Sequence, residues 1–380
     1  MKRSWLALLA SLALGACSSR EPGRSAGGGG TAGTSPTSDA GSPTPDAKTT
    51  AWTPVRDAVL SAASDAEADL AFAVWDERGA LRFEVSSGMF RPGTRVAIAS
   101  ASKYASGLVL FELIRRGNLA LTSTTGEVLG WAEPNADITL EQLLSFTSGL
   151  PPEAPCTLVA RATLAECVDS IATATAVAAP GTRFDYGSTH LQVAARMAEV
   201  VTGQAWQALF DEILARPFGL SAAALYYTYP RQSIGQLNPL IAGGLRMSMN
   251  EYALLLELGL HRGALGNVTV GTPELFDAQL REPFDVTITP EGSPLLALGV
   301  PFHYGLTAWL ECDTPRTGCE RASSPGAFGF TPWFDRDAGY VAIIGMEIGP
   351  STMDTPSGAV GFAVALEQAL QPLIPEALAQ

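Results

Sequence analysis

The residues best suited to chemistry in this sequence are Ser100 and Lys103, which form a Ser-x-x-Lys pattern directly after a short apolar run. If Ser100 begins a helix, Lys103 lies one turn further on and on the same helix face. The lysine amine can then reach the serine hydroxyl and take or steer its proton, which an unactivated serine needs before it attacks a carbonyl carbon. The pair therefore predicts nucleophilic catalysis by serine.

The lysine content of the chain distinguishes this pattern from the many Ser-x-x-Lys matches expected by chance. Lysine occurs only at Lys2, Lys48 and Lys103, and the first two fall in segments that we predict to be unfolded. In the folded part the other basic residues are arginines. The alternative interpretation is that Lys103 is a surface lysine without a function, but a surface lysine would usually be accompanied by other lysines in the folded part.

Other catalytic and metal-binding patterns are missing from the sequence. The three histidines, His190, His261 and His303, are widely scattered, and neither Cys-x-x-Cys nor His-Glu-x-x-His occurs. The scattered histidines and the absence of these two motifs argue against a metal site. The absence of Gly-x-Ser-x-Gly in the folded part argues against a Ser-His-Asp triad. We therefore expect neither a metal nor another cofactor.

Residues 1–17 have the pattern of an export signal. A basic start, a short apolar run and small residues precede Cys17, which is typical of secretory signals. The apolar run is too short to cross a bilayer as a helix. Leu14-Gly15-Ala16-Cys17 also resembles a bacterial lipobox, in which the cysteine is lipidated and becomes the new N-terminus. Ordinary secretion, with Cys17 incidental, is the alternative.

Residues 18–50 predict a disordered tether, because Gly, Ser, Thr, Pro and Ala dominate and such a segment cannot bury enough apolar surface to fold. The lipobox and the tether together predict an exported protein of the bacterial cell envelope. Cys17 would carry its lipid anchor in a membrane, with the domain in the periplasm or outside the cell. The formal net charge of −14 argues against nucleic acid and anionic lipid surfaces as partners. A small-molecule or peptide substrate is the expected partner.

Of the five cysteines, four remain once Cys17 is set aside. Because an exported chain meets oxidising conditions, we expect two local disulfides, Cys156–Cys167 and Cys312–Cys319, each closing a short loop. On the chain-entropy argument each would contribute ~2–3 kcal/mol. Metal binding by these cysteines is the alternative, which the scattered histidines disfavour.

Strand patterns occur at both ends of the folded part, and helix patterns occur in its middle. Capping boxes at Thr139-x-x-Gln142 and Ser248-x-x-Glu251 predict helix starts there. The strand candidates are Leu70–Trp75, Leu81–Val85, Tyr304–Leu310, Gly326–Phe334 and Tyr340–Ile348.

These patterns predict one domain over residues 51–375, of the α/β (α+β) class. Its sheet region would be about 51–116 and 300–375, where strands from both chain ends form one antiparallel sheet flanked by helices. The mostly helical region of about 117–299 is inserted between them. Ser100 then lies at the seam, at a helix N-terminus whose backbone amides favour a developing negative charge.

Four short stretches carry a family resemblance when they are read in order. They are Ser100-Ala101-Ser102-Lys103, Leu143-Leu144-Ser145-Phe146-Thr147-Ser148-Gly149-Leu150-Pro151, Tyr186-Gly187-Ser188 and Gly243-Gly244-Leu245. The set resembles the serine β-lactamase and penicillin-binding-protein-like superfamily, in the branch of class C β-lactamases, esterases and D-aminopeptidases. The resemblance covers about residues 51–375 and implies a β-lactamase/transpeptidase-like fold and a serine hydrolase.

The resemblance also implies roles for the matching residues. Ser100 would be the nucleophile and Lys103 its proton partner. Tyr186 matches the family tyrosine that works with the lysine as general base and then as general acid. A nearby ammonium stabilises a phenolate, and a phenolate can take the serine proton. Ser188 stands where the family has asparagine or a small polar residue that binds substrate.

Two positions depart from the family pattern. Phe146 replaces a histidine, and we interpret this change as packing because the position is not catalytic in the family. The third family motif is Lys-Thr-Gly or His-x-Gly, and no lysine follows Lys103. The best match is Ser324-Pro325-Gly326. Ala327, next in the chain, would supply the second oxyanion amide beside that of Ser100.

Ser324 replaces a cation that helps to hold the substrate carboxylate in β-lactamases and carboxypeptidases. Arg321 is close in sequence and is a candidate substitute. An unanchored carboxylate loses ~1.5–3 kcal/mol of charge-assisted hydrogen bonding, which is roughly one to two decades of affinity. A neutral ester would lose little, so the sequence favours an esterase-like hydrolase that acts through a covalent acyl-enzyme.

Two alternatives stay open from the sequence. The same site could serve a D-Ala-D-Ala-type carboxypeptidase or a β-lactamase acting on cell-wall-like substrates, which would suit export and a tether. The other alternative is a non-catalytic binding lipoprotein with the same fold. The altered residues Phe146 and Ser324 motivate it, and the intact Ser100, Lys103 and Tyr186 oppose it.

Overall fold

The computed structural model describes residues 51–347 and 358–380. The predicted signal with Cys17, the tether 18–50 and Ile348, the end of the last predicted strand, lie outside the described residues. Within the described ranges, no helix has both the length and the apolar character that crossing a membrane requires.

Helices occupy most of the middle of the chain, and the predicted capping boxes at Thr139 and Ser248 are both formed. Short 3₁₀ turns lie at Ala99–Ala101, Pro155–Leu158 and Leu296–Leu298, and a π-helical turn lies at Asp211–Ala215. The α-helices are α1 (Thr53–Asp65), α2 (Ser102–Arg115), α3 (Thr125–Leu129), α4 (Leu140–Leu144), α5 (Leu164–Ala172), α6 (Thr189–Thr202), α7 (Trp206–Phe210), α8 (Met249–Leu260), α9 (Pro273–Gln279), α10 (Ala359–Leu370) and α11 (Leu373–Leu378).

The longer strands come from the two ends of the domain. The strands are β1 (Leu70–Asp76), β2 (Leu81–Ser87), β3 (Val96–Ala97), β4 (Arg246–Met247), β5 (Ala264–Leu265), β6 (Val268–Thr269), β7 (His303–Tyr304), β8 (Trp309–Leu310), β9 (Arg321–Ser323), β10 (Thr331–Asp335) and β11 (Tyr340–Gly345).

One seven-stranded sheet has the order β2-β1-β11-β10-β9-β8-β7. β1 and β11 pair antiparallel, from Ala71 opposite Gly345 to Asp76 opposite Tyr340. The N-terminal hairpin is therefore a neighbour of the C-terminal strands, and helices cover the sheet. The predicted α/β (α+β) class, with an antiparallel sheet made from both chain ends, is confirmed.

The two faces of the sheet bury different side chains, because successive residues of a strand point to opposite faces. On β1, Phe72 and Val74 face a layer that contains α1 and α10. Ala71 and Ala73 face the larger core, which contains α2 and α8. Residues 102–113 of α2 are all buried, so this helix runs through the core and any polar group on it is shielded from water.

The predicted strand Tyr304–Leu310 is a hairpin instead. β7 and β8 pair with Tyr304 opposite Trp309, and Thr307 between them takes a positive φ of 61°. The prediction is wrong because the turn contains apolar residues, so hydrophobicity does not separate it from the flanking strands.

The predicted strand Gly326–Phe334 is also interrupted, since only Thr331–Asp335 is strand. The N–H of Gly326 donates to Phe330 O (2.8 Å) in a tight turn. Gly329 completes the turn with a φ of 93°, which favours glycine. Ala327 therefore lies in a loop between β9 and β10 and not on a strand.

Both predicted disulfides are present. Cys156–Cys167 ties the 3₁₀ turn Pro155–Leu158 to α5, and Cys312–Cys319 closes the loop between β8 and β9. Both bridges therefore close short loops, as the small sequence separations predict.

Glu311 and Glu367 form a buried carboxyl pair behind the sheet. Glu367 lies on α10 and is fully buried, and neither of its carboxyl oxygens has a donor among the described residues. Burial, and after it the nearby Glu311 carboxyl, raise the pKa of Glu367 well above its usual value. A protonated Glu367 can donate a hydrogen bond to Glu311, which an ionised one cannot.

We expect Glu367→Gln to stabilise the protein at neutral pH. A carboxyl pKa that is raised by folding contributes stability below the unfolded-state value of about 4.3, and this contribution is lost as the pH rises through the folded-state pKa. Glutamine keeps the shape and donates without titrating. Thermal unfolding measured between about pH 4.5 and 8.5 should show a melting temperature that falls less in the variant, by a few degrees at the upper end.

The control for this prediction is Glu376→Gln, which removes an exposed carboxylate from α11. Its pH profile should follow that of the wild type. Identical profiles for the wild type and Glu367→Gln would contradict the interpretation of the buried pair.

Candidate active site

Ser100 lies in the 3₁₀ turn that connects β3 to α2, one short turn ahead of the helix. β3 pairs with β4, and Ile98 N–H donates to Leu245 O (3.1 Å). The chain before the serine is thus fixed to the Gly243-Gly244-Leu245 stretch. Ala99 takes a positive φ of 47°, which costs roughly 1–3 kcal/mol for such a residue and is typical of functional sites.

Lys103 lies in the first turn of α2, and its buried amine contacts the serine. Nζ donates to Ser100 Oγ (3.0 Å) and to Ala242 O (2.9 Å). Burial lowers the pKa of Lys103 to about 7, and the charge of Glu153 opposes this shift. At neutral pH the amine is therefore partly uncharged and can accept the proton of the hydroxyl that it contacts.

Tyr186 lies against the lysine within an aromatic cluster. Lys103 Nζ is over the ring, 4.5 Å from its centroid. Trp309 stacks on the ring at 5.1 Å. Phe146 and Tyr304 contact it edge-on. These neighbours fix the ring and shield much of it from water.

The phenol of Tyr186 is held in its neutral form. Burial raises its pKa above the usual value, while hydrogen bonding with the Ser100 and Trp309 side chains opposes the shift. The negative charge of Glu153 adds to the increase. At neutral pH this side chain can donate a proton, which favours a donor role over the phenolate base that the family resemblance implies.

The loop between β9 and β10 brings Ala327 to the serine. A Cβ at Gly326 would lie 2.2 Å from Ile98 O, so glycine is required for this approach. Ala327 packs on the small cluster that contains Ala99. Within the described ranges, neither the N–H of Ser100 nor that of Ala327 has an acceptor. Both are free to donate to an oxyanion.

Ser324 and Arg321 lie on opposite sides of the sheet. Ser324 Oγ donates to Ser100 O (3.2 Å), so it supports the turn that carries the serine. Arg321 instead contacts Asp335 (2.9 Å) and Gln371 (2.8 Å) in the layer of α10. It therefore does not replace the cation that is missing at Ser324.

Ser188 directly precedes α6 and lies two residues after Tyr186. Its N–H and its Oγ both donate to Glu153 Oε1, at 3.1 and 3.3 Å. Sequence reasoning missed Glu153, and the one available signal was its position two residues after the Ser148-Gly149-Leu150-Pro151 stretch. The fold brings this carboxylate next to the groups that the motifs identify.

Phe146 is a packing residue, as predicted. Its buried ring stacks on His190 and Tyr304, with centroids 5.0 Å apart in each pair. Burial lowers the pKa of His190 to about 4, so its ring is neutral. Hydrogen bonds join that ring to Ser148 and Asp185, which ties the stretch around Phe146 to the residues before Tyr186.

Known proteins resemble this chain in sequence and in fold. A family model described as Beta-lactamase matches residues 62–356. Penicillin-binding protein 4 from Amycolatopsis lactamdurans is 32% identical over 151 residues, which is 36% of this chain. That match covers 40% of the relative's own length, so the chain matches less than half of it.

Solved structures share the fold. A beta-lactamase-like protein from Bacteroides dorei DSM 17855 has a TM-score of 0.73 at 28% identity, covering 84% of this chain and 98% of that one. EstCE1, a hydrolase with promiscuous acyltransferase activity, has a TM-score of 0.64 at 17% identity, covering 84% and 99%. At 17% identity, the similarity to EstCE1 shows the fold alone.

The chain belongs to the beta-lactamase family, because the family model matches most of its length. Members of this family are typically serine hydrolases. The predicted β-lactamase/transpeptidase-like fold is confirmed.

Proposed function

We propose that this protein is a serine hydrolase that acts on an ester or amide through a covalent acyl-enzyme, with an esterase-like preference. The observation that carries the proposal is the 3.0 Å contact between Lys103 Nζ and Ser100 Oγ. The amine is buried, and its pKa of about 7 lets it act as a base at neutral pH.

Each reacting group has a role that its environment supports. Ser100 Oγ attacks the substrate carbonyl while its proton passes to Lys103 Nζ. The N–H groups of Ser100 and Ala327 stabilise the resulting oxyanion. Tyr186 donates its phenol proton to the leaving group, the bond to that group breaks, and Lys103 reprotonates the phenolate. Water then attacks the acyl-enzyme with Lys103 as base, which releases the acid and restores the Ser100 hydroxyl.

We also propose export and a lipid anchor at Cys17, with the domain in the periplasm or outside the cell. The signal-like residues 1–17, the lipobox and the tether 18–50 support this localisation. The disulfides Cys156–Cys167 and Cys312–Cys319 fit an oxidising compartment.

The test of the hydrolase proposal is turnover of p-nitrophenyl butyrate together with labelling by a fluorophosphonate probe. We expect hydrolysis and a single adduct that maps to the peptide containing Ser100, detected by intact-mass and peptide mass spectrometry. A folded protein that shows neither turnover nor an adduct would overturn the proposal and support the non-catalytic binding lipoprotein.

A second candidate is a D-Ala-D-Ala-type carboxypeptidase or a β-lactamase, favoured by the similarity to penicillin-binding protein 4. The site argues against strong recognition of a substrate carboxylate. Ser324 carries no charge, and Arg321 faces the other side of the sheet. Arg231 stacks on Phe328 near Ala327, but its charge is paired with Glu347.

A penicillin and its methyl ester separate the two candidates. Without a carboxylate anchor, both should acylate Ser100 at rates within a few-fold of each other, measured by the rise of the covalent adduct in intact-mass spectra. A cation in the site would instead favour the free acid by roughly 10–100-fold. A preference of that size for the free acid would contradict the esterase-like assignment and support the carboxypeptidase or β-lactamase.

A further inference from the structure

Gln192 is a fully buried glutamine on α6 that the acyl-enzyme mechanism does not use. Its carboxamide is paired entirely with one neighbouring segment of the chain. Oε1 accepts from Ile241 N–H (3.2 Å), and Nε2 donates to Asn238 Oδ1 and to Pro239 O, both at 2.9 Å. Because an apolar side chain would fill a core position at a lower desolvation cost, three such bonds indicate that the glutamine is there to hold residues 238–241.

The held segment leads directly to the carbonyl that contacts the base. Lys103 Nζ donates to Ala242 O (2.9 Å), and Ser106 Oγ donates to Ile241 O (3.0 Å). Lys103 and Ser106 are three positions apart on α2, so they share a helix face and contact consecutive carbonyls. Ile241 is therefore fixed from α6 at its N–H and from α2 at its C=O, immediately ahead of Ala242.

The other end of the segment is anchored to a disulfide-bonded turn. Asn238 is fully buried, and its Nδ2 donates to Cys156 O (2.8 Å) and to Val159 O (3.3 Å). The bridge Cys156–Cys167 holds that turn to α5. Every N–H of the two buried carboxamides is paired, and a network without unpaired members is rigid, which suits the support of a reacting group.

The Ala242 carbonyl sets the direction in which the amine of Lys103 faces. A neutral amine has two N–H groups and one lone pair, so it takes the Ser100 proton only when the lone pair points at that hydroxyl. With one N–H directed to Ala242 O, the amine still lies 3.0 Å from Ser100 Oγ. A carbonyl that moved by about 1 Å would turn the amine away, and a misplacement of that size can cost about 10²-fold in rate.

We propose that Gln192 is a positioning residue that, together with Ser106, orients Lys103 through the Ala242 carbonyl. The inference rests on the proposed hydrolase function and adds to it the residues that hold the base. Both side chains are fully buried, so neither touches the substrate. Since Lys103 is the base in both acylation and deacylation, a misdirected amine slows both steps, and the loss should appear in kcat with KM little changed.

The first test is Gln192→Met, which keeps the length of the side chain and removes all three hydrogen bonds. We expect kcat for p-nitrophenyl butyrate to fall by roughly 10–100-fold. Ser106→Ala, a smaller change at the neighbouring carbonyl, should lower kcat in the same direction and keeps the test available if Gln192→Met does not fold. Thermal unfolding establishes that each variant is folded before its kinetics are measured.

The second test repeats Gln192→Met in the Lys103→Met background. If Gln192 acts through the amine, the double variant should have the same residual kcat as Lys103→Met alone. A merely structural role would instead lower the residual kcat by the same factor as in the wild type, because independent effects add in free energy. The double-mutant cycle therefore separates positioning of the base from general support of the fold.

Asn135→Leu is the matched control, because it also removes a buried carboxamide that donates to two backbone carbonyls, Ala172 O and Ala174 O, both at 3.1 Å. These contacts lie at the end of α5, so kcat should equal that of the wild type. A folded Gln192→Met with wild-type kcat, or an equal loss in both backgrounds, overturns the inference. A wild type with neither turnover nor a fluorophosphonate adduct defeats the hydrolase proposal itself, so the two failures are distinguishable.

Discussion

Ser100→Ala is expected to abolish both ester hydrolysis and covalent labelling. Without the hydroxyl no acyl-enzyme can form, and removing such a nucleophile lowers kcat by at least about 10⁴-fold. Ser100 is a half-buried residue in a short turn, so the loss of one oxygen should leave the fold intact. Turnover of p-nitrophenyl butyrate and intact-mass detection of the fluorophosphonate adduct measure the effect.

Ser102→Ala is the control from the same motif. The Ser102 hydroxyl is fully buried, donates to Ala99 O (2.7 Å) and accepts from Leu245 N–H (3.1 Å). Its loss should cost about 1 kcal/mol of stability and leave labelling in place. Labelling that survives in Ser100→Ala, or that disappears only in Ser102→Ala, would show that Ser100 is not the nucleophile.

Lys103→Met and Lys103→Arg should each lower kcat/KM for a neutral ester by roughly 10²–10⁴-fold. Methionine keeps much of the buried volume but has no basic nitrogen. Arginine stays protonated and cannot accept the serine proton. Thermal unfolding of each variant separates loss of the base from loss of the fold.

The pH dependence supplies the second readout for Lys103. Below a pKa of about 7 the amine is mostly protonated and cannot take the proton of Ser100. The wild-type kcat/KM should therefore rise with pH and level off above about 7. The rise should be missing from the residual activity of Lys103→Met. A variant that keeps both the wild-type rate and the wild-type profile would exclude Lys103 as the base.

Contacts between residues that are near in sequence were predictable. Ser100 and Lys103 are three positions apart, so one helical turn brings the amine to the hydroxyl wherever the helix lies. The disulfides close short loops between cysteines, and their pairing follows from the sequence separation. The strands at both chain ends predict a shared antiparallel sheet, since few other arrangements bury them all.

Closeness in sequence was misleading for residues on a strand, because successive side chains point to opposite faces of the sheet. Arg321 is three residues from Ser324, and the sequence made it a candidate for the missing cation. On β9 the odd positions Arg321 and Ser323 face the α10 layer, as do their partners Asp335 and Trp333. Ser324 points the other way, to Ser100. Moving one position along a strand places the side chain on the opposite face of the sheet. Only the pairing register shows which face a given residue occupies.

By itself, the sequence predicted the contact between Ser100 and Lys103, the disulfides and the fold class, because spacing and periodicity encode local contacts. The tertiary structure decided how those groups titrate and what lies around them. The pKa of Lys103 is lowered to about 7 because the start of α2 is buried. Glu153 joins the site because the segment Pro152–Glu153 packs against the start of α6, and packing between segments distant in sequence leaves no signature in either segment alone.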